Sequence, residues 1–249
     1  MLPRVIHYCW FGRNPLPDLV VRCIESWKKY LPGYEIKEWN EDNFDVSIIP
    51  FTKEAYKYKK YAFVSDYARF WILYNYGGVY FDTDVEVIKP MDELIQSGPY
   101  MGGENIPSST EQLRVNPGLG MAAYPKMQIY KDIMSFYEQL SFIVDGKQNL
   151  TIVVKIATRF LKARGLKNTE DIQEVDGITI YPADYFASRN VPEFTIPRTE
   201  NSYSIHYYAA SWKSPIYRLK FKLLKLFPRR MVRYMILRKK KLVNTDDKY

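Results

Sequence analysis

The most constraining part of the sequence is the segment Tyr76-Gly77-Gly78-Val79-Tyr80-Phe81-Asp82-Thr83-Asp84. A glycine pair directly after a helical pattern ends the helix, because glycine adopts the backbone conformation that closes the last turn. The apolar residues Val79 to Phe81 then predict a short buried strand. Asp82 and Asp84 follow this strand, so we expect their carboxylates to reach one region at its exit.

The residues before this segment alternate between strand and helix patterns. Residues 3–10 alternate like a first strand, residues 19–30 have helical spacing, and residues 34–39 alternate again. This βαβ order is typical of the opening of an α/β domain with a largely parallel sheet. Two further helices are predicted over about 53–58 and 62–75.

The residues after this segment show a less regular pattern. Val85 to Ile88 is predicted as an edge strand, and residues 98–124 are predicted to be rich in loops. Residues 126–164 are predicted to be mainly helical, and residues 178–181 form a late strand pattern.

Charge is distributed unevenly along the 249 residues. The net charge is +8, but residues 218–241 hold 11 Lys or Arg and no Asp or Glu, which leaves 25 basic against 28 acidic residues elsewhere, a net of −3. A nucleic-acid enzyme would more often spread positive charge over its working face, so nucleic acid is not an expected partner.

The basic stretch also carries Leu, Phe, Met and Ile at helical spacing, which predicts an amphipathic tail over 216–249 after a globular domain over 1–215. Such a tail suits an anionic membrane surface, contacted through residues 216–241. The alternative is a solvated helix that covers the domain's own core.

The two cysteines, Cys9 and Cys23, are too few for a disulfide framework and suit a reducing compartment. The first residues lack the pattern of a secretory signal, and no stretch reaches the ~20 apolar residues of a membrane-spanning helix. We therefore expect a cytoplasmic protein that is peripheral on the inner face of the cell membrane.

One pair of acidic residues, one pair of opposite charge and one histidine carry the candidate chemistry. Asp82 and Asp84 can hold a hard divalent cation, although a solvated turn is the simpler alternative. Asp66 and Arg69 lie three residues apart on one helix face in an apolar segment, where unpaired charge is costly. They predict either a structural ion pair or groups that bind sugar hydroxyls and a diphosphate. His206 is a candidate third metal ligand, with a packed or surface histidine as the alternative.

The two histidines differ in their surroundings. His206 precedes Ser211, Trp212 and Lys213, whose polar groups can bind phosphate oxygens. His7 has no comparable neighbours and is predicted to be structural.

Ser65-Asp66-Tyr67-Ala68-Arg69, followed by the segment 76–84, resembles glycosyltransferase family 32, whose members are sugar transferases with a DXD motif. Residues 3–12 and 34–43 look like the nucleotide-binding start of the same family. The resemblance covers roughly residues 1–125 and returns at 206–212. The large clostridial glucosylating toxins are distantly similar, with an Asp-x-x-Arg sixteen residues before their DXD, the spacing of Asp66 and Asp82 here.

This resemblance implies a GT-A fold, which is an α/β fold with a Rossmann-like nucleotide-binding mixed sheet flanked by helices. It implies transfer of a sugar, with retention, from a nucleotide-sugar donor, with a UDP-sugar favoured. The acceptor would be a glycan or a lipid-linked glycan in capsular or lipopolysaccharide synthesis. Because no two carboxylates are placed for double displacement, we expect a front-face mechanism.

The resemblance also assigns roles to individual residues. The catalytic candidates are Asp66, Arg69, Asp82, Asp84 and Asn149, with Thr151 as a weaker one beside Asn149. Mn2+ or Mg2+ would be held by Asp82, Asp84 and His206, where the toxins carry a Glu in place of the histidine. The donor-binding candidates are Trp10 on the nucleobase, Tyr80, Asn116 in a sugar-facing loop, Ser211, Trp212 and Lys213.

Two other classes of protein stay open at this point. A DXD-type metal-dependent phosphatase would carry its motif early in the chain, whereas Asp82 follows some eighty residues and Glu86 occupies the motif's last position. A non-enzymatic module that binds membrane or nucleic acid through the tail would leave Asp66, Arg69 and His206 unexplained.

Overall fold

The computed structural model describes residues 1–105, 113–188 and 198–209. Their strands are β1 (Val5–Cys9), β2 (Glu35–Trp39), β3 (Gly78–Tyr80), β4 (Val85–Val87), β5 (Tyr100–Asn105), β6 (Leu113–Val115), β7 (Met121–Ala123), β8 (Ile143–Val144), β9 (Lys147–Gln148), β10 (Gln173–Val175), β11 (Ile178–Tyr181), β12 (Phe186–Ser188) and β13 (Ser204–His206). Their helices are α1 (Asp18–Tyr30), α2 (Pro50–Lys57), α3 (Tyr61–Tyr76), α4 (Asp92–Gln96), α5 (Gln128–Glu138) and α6 (Val153–Lys162). Short 3-10 turns span Pro117–Leu119 and Ala183–Tyr185.

The main sheet runs in the order β10-β11-β5-β7-β3-β1-β2, and β6 pairs with β5. Strand β1 is parallel to β2 and β3, whereas β7 is antiparallel to β3 and β5. The predicted mixed sheet flanked by helices is therefore confirmed. The expectation of a largely parallel sheet holds for the pairs of β1 with β2 and β3 and for the pair of β5 with β11, whereas the other pairs of this sheet are antiparallel. A second sheet of three strands has the order β12-β13-β4.

Apolar clusters cover both faces of the main sheet, as the alternation of side chains along a strand requires. On β1, Tyr8 joins the cluster formed with α1 and α4, and Cys9 joins the cluster formed with α2, α3, α5 and α6. On β3, Val79 joins the cluster formed with α1 and α4, and Tyr80 joins the cluster formed with α2, α3, α5 and α6. In the part of the chain that the structure describes, no helix is long and apolar enough to span a bilayer.

The predicted elements before residue 90 agree with the structure within a few residues. Helix α2 begins three residues earlier than expected, because Pro50 occupies its first position, where a missing N–H costs nothing. The predicted helices over 126–164 are α5 and α6, separated by the β8–β9 hairpin. The prediction that residues 98–124 are rich in loops missed three strands, β5, β6 and β7, among the described residues of this stretch.

Strand β5 escaped prediction because two glycines, Gly102 and Gly103, interrupt its pattern. A Cβ atom at Gly102 would lie 2.7 Å from the ring of Phe186, and one at Gly103 would lie 2.9 Å from the carbonyl oxygen of Tyr181. Close packing at the middle of the sheet therefore requires glycine where strand propensity disfavours it.

The glycine pair after α3 performs the role that the sequence predicted. Gly77 ends the helix with φ of 65°, and its N–H donates to the carbonyl of Leu73. Gly78 has φ of 92°, and a Cβ atom there would lie 2.7 Å from the carbonyl oxygen of Val5 on β1. The chain can thus turn from α3 directly into the sheet beside β1.

His7 lies in the middle of β1 and is structural, as predicted. Its Nε2–H donates to the carbonyl of Gly77 at 3.0 Å, and its Nδ1 accepts from the indole N–H of Trp39 at 3.1 Å. A second proton on the ring would meet the Trp39 N–H, so the fold requires the neutral imidazole. Burial lowers the pKa of His7 to about 4.

We expect His7 to make the free energy of unfolding depend on pH. A pKa of about 4 in the fold, against 6.5 when unfolded, means that stability present above pH 6.5 is lost as pH falls towards 4. The loss is about 3 kcal/mol. It is measured by urea unfolding at several pH values on the wild type and on His7→Gln, because their difference removes the contributions of other groups. A difference that stays constant with pH contradicts the prediction.

Candidate active site

The two carboxylates of the DXD motif stand in the turn between β3 and β4. The N–H of Val85 donates to the carbonyl of Asp82 at 3.0 Å and closes this turn. Because β1 and β3 are parallel, Trp10, which follows β1, lies at the same edge of the sheet as Asp82. The crevice beyond the carboxyl ends of parallel strands is where ligands bind in open α/β sheets.

Arg69 on α3 links Asp82 to Asp66. Its Nη2 lies 2.9 Å from Oδ1 of Asp66 and 3.1 Å from Oδ1 of Asp82. The guanidinium is buried with 3% of its side chain exposed, and it lies 5.0 Å from the ring centroid of Tyr80. The predicted ion pair of Asp66 and Arg69 therefore exists and extends to the DXD motif.

Asp66 also connects this group to α6. Its carboxylate accepts a hydrogen bond from the backbone N–H of Val153, the first residue of that helix. Burial raises the pKa of Asp66 to about 7, against the opposing effect of Arg69. Burial likewise raises the pKa of Asp82, and the positive charge of Arg69 offsets part of this increase.

Asp84 is bound by the segment that follows β13. Its Oδ1 lies 3.0 Å from Nε2 of His206, and its Oδ2 accepts the backbone N–H of Ala209 at 2.7 Å. Burial raises the pKa of Asp84, but His206 and the Ala209 amide more than offset it, so the pKa lies below its usual value. Burial lowers the pKa of His206, but the two carboxylates raise it above its usual value. Asp84 and His206 thus form a hydrogen-bonded pair, in which the imidazole is charged only when it is protonated.

Asp82, Asp84 and His206 fit a divalent cation. Each offers one ligand atom, and these three atoms all lie within 4.8 Å of one another. Carboxylate oxygens are ligands for Mg2+ and Mn2+, and an imidazole nitrogen favours the transition metal of the two. The Asp82 and Asp84 side chains keep 28% and 15% of their surfaces exposed, so solvent reaches the group.

Glu104 and Tyr208 form part of the site although the sequence analysis did not single them out. The buried carboxylate of Glu104 on β5 accepts from Asn116 Nδ2 at 2.7 Å and from the Tyr208 hydroxyl at 2.8 Å, and it pairs with Arg114. The Tyr208 ring lies 3.9 Å from that of His206. Glu104 therefore joins the loop of Asn116 to the segment that carries His206.

Asn116 begins the loop that packs against the DXD motif. Its Oδ1 accepts the N–H of Gly118 at 2.9 Å, so both ends of its side chain are engaged. A Cβ atom on Gly118 would lie 2.2 Å from Oδ2 of Asp82. The absence of a side chain at Gly118 is what lets this loop touch the Asp82 carboxylate.

The remaining predicted residues lie in different places. Trp10 is half-buried, and its indole N–H donates to the carbonyl of Asn14 at 2.7 Å. Tyr80 is buried, with its hydroxyl 3.3 Å from Oδ1 of Asp82, so it supports the motif from beneath. In the loop before α6, the backbone N–H of Thr151 donates a hydrogen bond to Oδ1 of Asn149 at 3.1 Å. The other three, Ser211, Trp212 and Lys213, lie outside the described residues, as does the tail.

We expect Gly118→Ala to destabilise the fold through Asp82. The new methyl group has no room beside the carboxylate, so the free energy of unfolding should fall by about 1–3 kcal/mol. In an Asp82→Ala background the same change should cost less than half as much, which a double-mutant cycle by urea unfolding measures.

Gly33→Ala is the matched control for this cycle. Its Cβ atom would meet the Arg4 side chain at 3.1 Å, and a flexible side chain can move away. The expected change is therefore within about 0.5 kcal/mol. An equal cost of Gly118→Ala in both backgrounds would show that Asp82 is not the obstacle.

Comparison with known proteins agrees with this geometry. Residues 17–100 match a family model described as a glycosyltransferase sugar-binding region containing the DXD motif. An inositol phosphoceramide mannosyltransferase of Schizosaccharomyces pombe is 32% identical over 111 residues, which is 40% of this chain and 33% of that protein. The chain thus spans about a third of the length of the curated relatives it matches.

Two solved structures resemble the fold. A glycosyltransferase involved in glycosylation of the major capsid of PBCV-1 has a TM-score of 0.50 and 12% identity, covering 89% of this chain and 100% of that one. The PaToxG glycosyltransferase also has a TM-score of 0.50, with 17% identity, covering 65% of this chain and 69% of that one. The resemblance drawn from the sequence is confirmed: residues 17–100 match the sugar-binding region of DXD-motif glycosyltransferases, and the fold is of the GT-A kind.

Proposed function

We propose that the protein is a metal-assisted glycosyltransferase that moves a sugar, with retention of configuration, from a nucleotide-sugar donor to a glycan or lipid-linked glycan. The observation that carries this proposal is the convergence of Asp82, Asp84 and His206 at the edge of the sheet where parallel strands end. The sugar-binding family match over residues 17–100 supports it.

The proposed cofactor is Mn2+ or Mg2+, held by Asp82, Asp84 and His206. Such an ion supplies positive charge that stabilises a departing nucleoside diphosphate. Arg69 adds a fixed positive charge, and its Nη1 is buried without a hydrogen-bond partner among the described residues, so it can donate to a phosphate or sugar oxygen. Trp10 is proposed to stack on the nucleobase, and Ser211, Trp212 and Lys213 to bind the diphosphate.

Retention by front-face departure and attack is proposed because of how the carboxylates are engaged. Asp66 and Asp82 share Arg69, and Asp84 is held by His206 and Ala209. None of them is thereby free to act as the nucleophile of a double displacement. Asn149 and the loop of Asn116 remain proposed contacts for the sugar.

A UDP-sugar is the favoured donor, and mannose donors belong in the same screen because a relative is named a mannosyltransferase. That name also gives a phosphate-bearing lipid as the relative's acceptor. It supports a lipid-linked acceptor here, and capsular or lipopolysaccharide synthesis at the inner face of the cell membrane is the proposed setting.

We expect Asp84→Ala to lower sugar transfer and donor hydrolysis at least ~100-fold, because the leaving diphosphate loses its main stabilising charge. EDTA should abolish both activities, and Mn2+ or Mg2+ should restore them. Donors are screened by thermal shift with Mn2+, and activity is then measured as release of nucleoside diphosphate.

The control for this experiment is Asp171→Ala, which removes an exposed carboxylate before β10. This variant should keep full activity. Normal activity in EDTA, together with a folded and active Asp84→Ala protein, would contradict the proposal of a metal cofactor. Cleavage of simple phosphate esters instead of nucleotide sugars would identify a phosphatase.

We expect neutralising the tail to weaken binding to anionic vesicles. Replacing Arg229, Arg230 and Arg233 with Gln removes three of the 11 cations between residues 218 and 241. At ~1 kcal/mol for each near-surface cation, the affinity should fall at least ~10-fold. Cosedimentation at rising ionic strength measures it, since salt screens this attraction. Equal binding of both proteins, or equal binding to neutral vesicles, would refute docking through the tail.

A further inference from the structure

A surface formed by α2 and the β8–β9 hairpin exposes apolar side chains around one buried ring. Tyr58, Val144 and Leu150 expose 46%, 50% and 49% of their surfaces. The ring centroids of Tyr58 and buried Phe142 lie 6.4 Å apart, and the Asn149 N–H beside Leu150 donates to the Phe142 carbonyl at 2.7 Å. Val144 follows Phe142 by two residues, so all three exposed residues are close to Phe142. We call them the Tyr58 patch.

Five lysines flank the residues of the Tyr58 patch in the sequence. They are Lys53, Lys57, Lys59, Lys60 and Lys147. Lys53 and Lys57 lie four residues apart on one face of α2. With Glu54 and Asp145 as the acidic residues, residues 53–60 and 143–150 carry five positive and two negative charges, a net of +3.

The orientation of Glu54 makes the exposed surface more positive than the net charge of +3 indicates. Glu54 turns towards the protein, where its Oε2 accepts the backbone N–H groups of Phe142 and Ile143 at 2.8 Å and 3.0 Å. The lysines Lys53, Lys57, Lys59 and Lys147 are exposed. An exposed apolar centre with a cationic border is complementary to an anionic lipid surface, where apolar groups insert and cations meet the headgroups.

We propose that the Tyr58 patch docks on an anionic lipid bilayer, independently of the basic tail. Single exposed apolar residues are ordinary, but three around one buried ring, bordered by lysines, mark an interaction surface. The tail itself is a poor occupant for this patch. It carries 11 Lys or Arg and no Asp or Glu between residues 218 and 241, so a lysine-bordered surface repels it.

Docking through this patch would bring the Asp66 side of the candidate site towards the membrane. Asp66 lies five residues into α3, about 7.5 Å along the helix from Tyr61, and Tyr61 follows the lysine turn directly. Leu150 precedes Val153, whose N–H bonds the Asp66 carboxylate. This consequence rests on the proposed function, because it presents a lipid-linked acceptor to the site. The docking itself does not rest on the proposed function.

A fluorescent label on Leu150→Cys tests the proposal directly. The native thiols of Cys9 and Cys23 are buried, so a maleimide probe that reports polarity reacts at the new position. With vesicles of equimolar phosphatidylcholine and phosphatidylglycerol, its emission should shift to the blue. The matched probe on Ile172→Cys, at a residue 51% exposed in the loop before β10, should not shift.

Charge variants of the full chain provide the second measurement. Lys57→Glu with Lys147→Glu should weaken cosedimentation with these vesicles at least ~10-fold, because each reversal removes one attraction and adds one repulsion. The control is Lys131→Glu with Lys167→Glu, which reverses two exposed lysines that are not part of the patch or its border and should bind like wild type. All these proteins should keep wild-type donor hydrolysis without vesicles.

Other results would overturn the proposal. Equal shifts of the Leu150 and Ile172 probes, or no shift at either, mean that the patch does not enter the bilayer. A blue shift that follows protein concentration without vesicles identifies a second copy of the chain as the occupant. Loss of donor hydrolysis in the wild type, with the probe shift intact, would remove the transferase and leave the docking surface in place.

Discussion

The guanidinium of Arg69 is the group on which the site and the surrounding fold both depend. It bonds Asp66 on its own helix and Asp82 after β3, and it is almost fully buried. Removing one partner of a buried ion pair typically costs 3–5 kcal/mol, because the charge left behind has no water to solvate it. Arg69 thus fixes α3 to the DXD turn, and through Asp66 and Val153 it also fixes α6.

The other half of the site is held by residues far apart in the chain. Strand β13 pairs antiparallel to β4, with His206 opposite Val85, which places His206 beside Asp84. Glu104 on β5 then binds both Tyr208 and Asn116. The two elements that contact the DXD carboxylates are therefore tied to each other as well as to the motif.

These two halves differ in how far the sequence could predict them. Asp66, Arg69 and Asp82 were found because helical spacing and a helix–glycine–strand junction are local patterns. The role of Glu104 was not predictable, since its partner Tyr208 is 104 residues away and its strand is hidden by Gly102 and Gly103. The engagement of Asn116 by Glu104 likewise depends on how β5 pairs with β6, which no local pattern encodes.

Two neighbouring carboxylates repel each other, and the structure relieves this by giving each its own positive partner. Asp82 has Arg69, whose charge is permanent, and Asp84 has His206, whose charge depends on a proton. Arg69 and His206 would therefore respond differently to a cation at the site, because only His206 can lose its charge. Metal ligands must be deprotonated, so the proposed divalent cation would require a neutral His206, whereas Arg69 would keep its charge. The contacts of Arg69 with Asp66 and Asp82 do not involve His206, so the links of α3 to the DXD turn would persist when the proposed cation binds.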